Sequence, residues 1–290
     1  MMNTVGCHLS IKGSLLNIFD EAIHLNINTI ACFTGSNLRY NFNTYFDPEI
    51  INQFKKKINE ENYTVYSHAC YLINIADINK NDNYYKSVQT LTAELQRCDL
   101  LGIKGVAFHP GSNQNRHDGL LHIANTINTI YEHNSFDTKL YIESCAGEGN
   151  KIPSSLEEIQ IIFNNLNENT KNEIGLVIDT CHIFASGYDL TSPHAINKFL
   201  LNFDSLIGLE KIKLIHLNDS KKPCGSKLDR HESLGKGHIG IDNIEYFIKH
   251  PAIKSISKIL ETPVSHYLDW QKELLLLENL LKNDTMIYMN

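Results

Sequence analysis

Gly175-Leu-Val-Ile-Asp179 is a five-residue run, apolar until a carboxylate closes it, and Thr180-Cys-His182 follows without a break. Apolar runs this short read as strands buried on both faces. Just upstream, Leu156, Ile159, Ile162, Phe163 and Leu166 recur at three- and four-residue spacing, which marks a helix with one buried stripe. The alternation extends in both directions. Further runs are Val5–His8, Thr29–Phe33, Thr64–His68, Gly105–His109, Leu140–Glu143, Lys213–His216 and Ser257–Leu260. Helical spacing returns at Leu15, Ile18, Ala22 and Leu25, at Val88, Leu91, Leu95 and Cys98, and at Leu274, Leu277, Leu280 and Leu281. Eight strands alternating with about eight helices predict the α/β class and a single (β/α)8 TIM barrel. One domain is expected over residues 1–290. An open doubly wound sheet is the alternative, and the absence of GxGxxG after the first run counts against it.

Composition narrows the classes further. Hydrophobic residues are 42% and charged residues 20%, an ordinary globular balance. The near-apolar stretch Leu274–Leu277 is far short of the roughly 20 residues of a spanning helix. The first residues, MMNTVGCHLSIKGSLLNIF, lack the basic start and long apolar run of a signal peptide. Cys7, Cys32, Cys70, Cys98, Cys145, Cys181 and Cys224 are odd in number and form no CxxC pair. That argues against a disulfide framework or zinc ribbon and for an intracellular, reducing compartment: the cytoplasm, with nucleus or virion as alternatives. A net charge of −7 does not describe a simple basic nucleic-acid binder. Fourteen His make metals the first question, since three bound divalent cations would cancel almost all of that charge.

Chemistry collects where the runs end. The third ends in His68, the fourth in His109, the fifth in Glu143, the sixth in Asp179 and the seventh in His216, and Glu261 directly follows the eighth. In a barrel these ends meet on one face. One buried His can be a satisfied core residue. Six ionisable groups sharing a buried mouth need partners, because burying even one charge without a partner costs several kcal/mol. Divalent cations are the natural partners. His182, three residues after Asp179, and Asp229-Arg-His231 add three donors, with Asp229 and His231 spaced to project the same way from an extended loop. Five imidazoles and four carboxylates suit catalytic zinc or manganese, and they are too many for one ion. Gly235-Lys-Gly-His-Ile-Gly240 is read as a turn rather than a phosphate cradle.

The strings His68-Ala-Cys-Tyr-Leu-Ile-Asn74, His109-Pro-Gly111, Glu143-Ser-Cys-Ala-Gly-Glu-Gly149, Asp179-Thr-Cys-His182, His216-Leu-Asn-Asp-Ser-Lys221, Asp229-Arg-His231 with Gly235-Lys-Gly237, and Glu261-Thr-Pro263 occur in this order. Together, from Gly6-Cys-His8 to the last helix, they resemble the endonuclease IV family of zinc-dependent abasic-site endonucleases. The resemblance implies a (β/α)8 barrel with three Zn2+, manganese being an option at one position. His68 and His109 would hold the first ion, with Glu143 bridging to the second. Asp179, His216 and Glu261 would complete the second, and His182, Asp229 and His231 would hold the third. It also implies hydrolysis of the phosphodiester 5′ to an abasic site, giving 3′-OH and 5′-deoxyribose phosphate, with 3′-end trimming. Glu143 and Glu261 are the expected catalytic carboxylates.

Tyr71 and Leu72 are the expected substrate contacts, a wedge entering duplex DNA beside the lesion. Departures from the family pattern are Glu148 where Gln is common and Val177 where Cys is frequent. The family's DNA-entering Arg would fall at Leu38 by simple register, next to Arg39. Cys70, Cys145 and Cys181 are read as packing or supporting groups. The expected partner is double-stranded DNA with abasic or 3′-blocked sites, bound by a monomer with no obligate protein partner and no membrane. Two other classes compete: a metal-dependent sugar isomerase or epimerase of related barrel shape, and a non-catalytic binder of damaged DNA. The first would leave the donors of DTCH and DRH without a task; the intact donor set argues against the second.

Overall fold

The computed structural model describes residues 2–282; Met1 and residues 283–290, which the expected domain includes, lie outside the described residues. Eight parallel strands close into a barrel: β1 (Met2–His8), β2 (Ile27–Cys32), β3 (Thr64–His68), β4 (Gly105–Phe108), β5 (Lys139–Glu143), β6 (Ile174–Asp179), β7 (Ile212–His216) and β8 (Ser257–Leu260). Each strand pairs with its chain neighbours, and β1 closes the ring on β8, with Cys7 opposite Leu260. The TIM barrel expected from the alternation is therefore the fold. Two expected ends shift by one residue. β2 stops at Cys32, leaving Phe33 outside, and β4 stops at Phe108, where His109 begins a turn into Pro110, which has no N–H for a ladder.

The helices are α1 (Asn17–Leu25), α2 (Pro48–Glu61), α3 (Asn81–Leu101), α4 (Arg116–His133), α5 (Leu156–Asn164), α6 (Glu168–Lys171), α7 (Thr180–Ser186), α8 (Pro193–Leu206), α9 (Ile241–Lys249) and α10 (Gln271–Lys282). Their starts follow local chemistry. Asp47 caps α2 ahead of Pro48, Asn115 caps α4, Ser155 caps α5 and Ser192 caps α8 ahead of Pro193. Asn26 and Asn62 end α1 and α2 with φ of 56° and 58°, a left-handed conformation that Asn tolerates, so part of the Asn excess serves as helix stops.

The period of two along each strand positions the site. Ala31, Tyr66, Ala107, Tyr141, Val177, Leu214 and Ile259 point inward and form one buried layer across the barrel. Their neighbours Ile30, Val65, Val106, Ile142, Ile178, Ile215 and Leu260 point outward into the larger core shared with the helices. One pleat beyond the inner layer, on the same side, come His68, His109, Glu143, Asp179, His216 and Glu261. The apolar layer is thus a floor under a ring of donors at the C-terminal ends of the strands. Tyr141 fills the floor because Gly105 and Gly175 leave room: a Cβ at either would stand within 2.8 Å of its ring.

Candidate metal centre

Four groups of donors have ligand atoms lying within 4.8 Å of one another. One is His68, His109 and Glu143. A second is Glu143, Asp179, His216 and Glu261, and a third is His182, Asp229 and His231. All nine side chains singled out as candidate ligands are brought together, and Glu143 belongs to two groups. Asp179, Cys181 and His231 form the fourth, overlapping group, so Cys181 stands closer to the donors than a packing residue would. Burial, and then Asp179, push its thiol up to about 12, which disfavours the thiolate that a metal ligand needs.

The imidazoles are oriented from behind. His68 donates Nδ1–H to the carbonyl of Ala69 at 2.7 Å, His182 to Ser144 at 3.0 Å and His231 to Glu261 at 3.1 Å. Each bond turns Nε2 toward the centre as the acceptor, the arrangement typical of a metal-ligating His. Nε2 of His182 and of His231 are buried and make no hydrogen bond, although each lies 3.1 Å from an Asp229 oxygen. His216 is turned the other way: Nδ1 lies 3.0 Å from Glu143 and 3.2 Å from Glu261. Nitrogen and carboxylate donors, two of them orphaned, fit divalent cations.

Local sequence explains the placement. Asp179 ends β6 and caps α7, its Oδ1 accepting from the backbone N–H of His182 at 3.0 Å, so the DTCH string is a strand end, a cap and the first turn of a helix. His231 and Glu232 pair antiparallel with Ser220 and Asp219, which folds the Asp229 loop back over the mouth.

Without cations the carboxylates and imidazoles share protons. Against the burial that lowers it, Glu143 and then Glu261 raise His216 to about 9. Against the same effect, Asp179 and Asp229 raise His231 to about 9, and Asp179 and Asp229 hold His182 well above its ordinary range. Burial, which outweighs the pull of Glu143, lowers His109 to about 3. Burial works against ionisation of Glu143 and Asp229, yet the facing imidazoles, His216 first for Glu143 and His182 first for Asp229, hold both well below the carboxylate range.

Residues that the strand-end pattern did not single out support the donors. Asn218 is fully buried; its Nδ2 donates to Asp179 at 2.8 Å and its Oδ1 accepts the backbone N–H of Glu261 at 3.0 Å. Asp219 accepts backbone N–H bonds from Gly235, Gly237 and Ile239, all at 3.0 Å. The glycine loop's amides are therefore spent on a carboxylate, and the loop is a turn, as its sequence was read. Glu148 accepts the N–H of Asp229 at 3.0 Å and pairs with Lys151 and Arg230. Cys145 Sγ lies 3.7 Å from His109 Nδ1. His8 ends β1 on the same inner side and its Nε2 is buried without a hydrogen bond; the period of two from Gly6 pointed to it.

A cavity of about 530 Å3 opens over the donors and is lined also by Asn74, Ser112 and Lys151. Of the second group only Glu143 and Glu261 reach it. Tyr71 and Leu72 stand at its edge, 50% and 42% exposed, with the Tyr71 ring 5.1 Å from that of His68. Arg39 and Leu38 lie in the loop after β2, and Leu38 is exposed.

A family model described as a xylose isomerase-like TIM barrel matches residues 19–280. The chain is similar to a probable endonuclease 4 of Thermosipho africanus, 36% identical over 285 residues that cover 96% of this chain and 99% of the relative. It is 35% identical over 283 residues to a probable endonuclease 4 of Halothermothrix orenii, covering 97% and 99%. Among solved structures it resembles endonuclease IV from Thermus thermophilus, with a TM-score of 0.83, 26% identity and coverage of 96% and 98%.

Proposed function

The chain belongs to the endonuclease IV family, and from that premise we propose that it cuts DNA 5′ to abasic sites on a centre of three zinc ions. It is a DNA-repair phosphodiester hydrolase of the deoxyribonuclease IV type. The products are a 3′-OH and a 5′-deoxyribose phosphate, and the same centre trims blocked 3′ ends. Three donor groups at the barrel mouth, the first two sharing Glu143, are the observation that carries this reading.

In the proposal His68 and His109 hold the first ion, Asp179, His216 and Glu261 the second, and His182, Asp229 and His231 the third. Glu143 is shared by the first two. Manganese is an option at one position. Zinc held there would lower the pKa of a bound water to about 7 and neutralise charge on phosphate oxygens. The chain's own part is placement. Glu143 fixes the spacing between two groups. Glu261 lines the cavity, and in this proposal it holds a proton of the attacking water. Tyr71 and Leu72 form the wedge that occupies the gap left by the missing base. The seven free thiols fit a reducing compartment. No helix among the described residues is long and apolar enough to cross a membrane.

The test is a labelled duplex carrying one tetrahydrofuran abasic analogue, incubated with zinc-replete protein. Incision on the 5′ side with a 3′-OH end, abolished by chelation and restored by zinc, is the expected result. No incision, with epimerisation of a ketohexose by the same preparation, would transfer the chain to the sugar-isomerase class.

A further inference from the structure

Helix α3 carries a buried ion pair with no part in the metal chemistry. Arg97 is 2% and Glu94 3% exposed, and their side chains are in direct contact. Such a pair seldom adds stability, because desolvation offsets the attraction, and well-packed apolar residues commonly do as well. Its partners indicate another role. Arg97 Nε donates to Thr34 Oγ1 at 3.0 Å, and its terminal nitrogen donates to the carbonyl of Asn43 at 2.6 Å and that of Asn41 at 3.4 Å. Glu94 accepts from Thr34 Oγ1 at 2.7 Å and from Ser67 Oγ at 2.5 Å. Every loop contact falls in the segment between β2 and α2, which has no regular secondary structure. Gly35 is packed so closely there that a Cβ would stand 2.6 Å from Asn41 and 3.4 Å from Arg97.

The opposite side of the same loop is fastened to the wedge. Tyr71 N–H donates to the carbonyl of Asn37 at 2.9 Å, Cys70 Sγ–H to that of Arg39 at 3.3 Å, and Tyr40 Oη–H to that of Leu72 at 3.1 Å. Leu38 lies between Asn37 and Arg39, whose carbonyls take these bonds, and is 64% exposed; Tyr71 and Leu72 across them are exposed as well.

We propose that Arg97, held by Glu94, is a positioning residue for lesion recognition, fixing the loop after β2 against Tyr71 and Leu72 so that Leu38 continues their apolar rim. The guanidinium fork suits this because it reaches two carbonyls and a hydroxyl in one fixed plane. The inference rests on the abasic-site reading, and its consequence is selective. An internal abasic site must be gripped by the rim, whereas a frayed 3′ end needs only the donors.

The experiment compares Arg97→Lys, the double variant Glu94→Gln/Arg97→Met, and Leu38→Ala. KM and kcat are measured for an internal abasic duplex and for removal of a 3′-phosphate from a frayed end, together with zinc content and hydrogen exchange over residues 34–46. A misplacement of about 1 Å can cost up to about 100-fold, so KM for the internal site should rise about 10- to 100-fold in the Arg97 variants. Removal of the 3′-phosphate should stay within about twofold, with zinc content unchanged and loop exchange faster. The surface variant Leu38→Ala, which has no buried role to lose, should raise the same KM without altering exchange. Equal losses on both substrates would overturn the proposal, because the pair would then be serving His68 through Ser67. An unchanged internal-site KM, in whichever of the variants fold, would overturn it as well. Wild-type protein that cuts neither substrate would refute the abasic-site reading instead.

Discussion

Replacing Asn218 by Ala should weaken metal binding at the second donor group without touching a donor. Asn218 makes one charge-assisted bond to Asp179 at 2.8 Å and accepts one backbone N–H from Glu261 at 3.0 Å, both inside a fully buried pocket. Losing a hydrogen bond to a charged group costs about 1.5–3 kcal/mol, and leaving the buried N–H unpaired adds about 1–3 kcal/mol. Relaxation recovers part of this, so the loss is placed near 2.8 kcal/mol, or about 100-fold, the upper end for partners that orient metal ligands. The assay is zinc titration with a competing chelator, in parallel with kcat for abasic incision. One of three ions should weaken by about 100-fold, with incision falling alongside it. Asn218→Asp should do worse at equal volume, because it sets a carboxylate against Asp179. Unchanged zinc affinity and kcat in Asn218→Ala would refute the reasoning that these two donors depend on outside support.

Further outcomes follow from the same geometry. Glu261→Gln should lower incision more than about 100-fold with the fold intact, since it removes a donor charge rather than its support, and near-normal turnover would deny both of its roles. Because His216 and His231 are raised to about 9 in the metal-free protein, the stability they contribute is present below about pH 6.5 and lost as pH rises through about 9. Zinc displaces those protons, so calorimetry in two buffers at pH 7 should show net proton release, and incision should fall below about pH 6; proton uptake would contradict the assignment. Asp219→Ala should cost about 1–3 kcal/mol in denaturant unfolding by leaving the buried N–H of Ile239 and the part-buried N–H groups of Gly235 and Gly237 unpaired, and an unchanged midpoint would show that the glycine loop holds itself. Leu72→Ala, and more so Tyr71→Ala/Leu72→Ala, should weaken incision at an internal abasic site more than 3′-phosphate removal; equal losses would point to a disturbed metal centre.

The barrel and its mouth were legible because both follow from a period of two. An inward residue such as Val177 or Leu214 implies that the next same-side residue, Asp179 or His216, stands at the strand's end, and short apolar runs display that pairing openly. DTCH and DRH were legible as donors but not as structure. That Asp179 also caps α7, and that His231 is held by a two-residue antiparallel pairing, depends on contacts made after folding. The supporting residues were harder to read for the same reason. Asn218 and Asp219 lie inside a quoted string, yet nothing local says that one joins two donors while the other gathers a loop from about sixteen residues away. Glu94 and Arg97 look like an ordinary i,i+3 surface pair in sequence. Only the packing of α3 against β3 and the loop after β2 makes them buried, and no spacing rule predicts it.

The central claim is that nine side chains hold three ions at the barrel mouth, and elemental analysis of gently purified protein tests it most directly. Close to three divalent ions per chain, mostly zinc, is the predicted value, falling toward two on substitution of Asp229 or His231. A reproducible value of one or fewer in the unsubstituted protein would contradict the account.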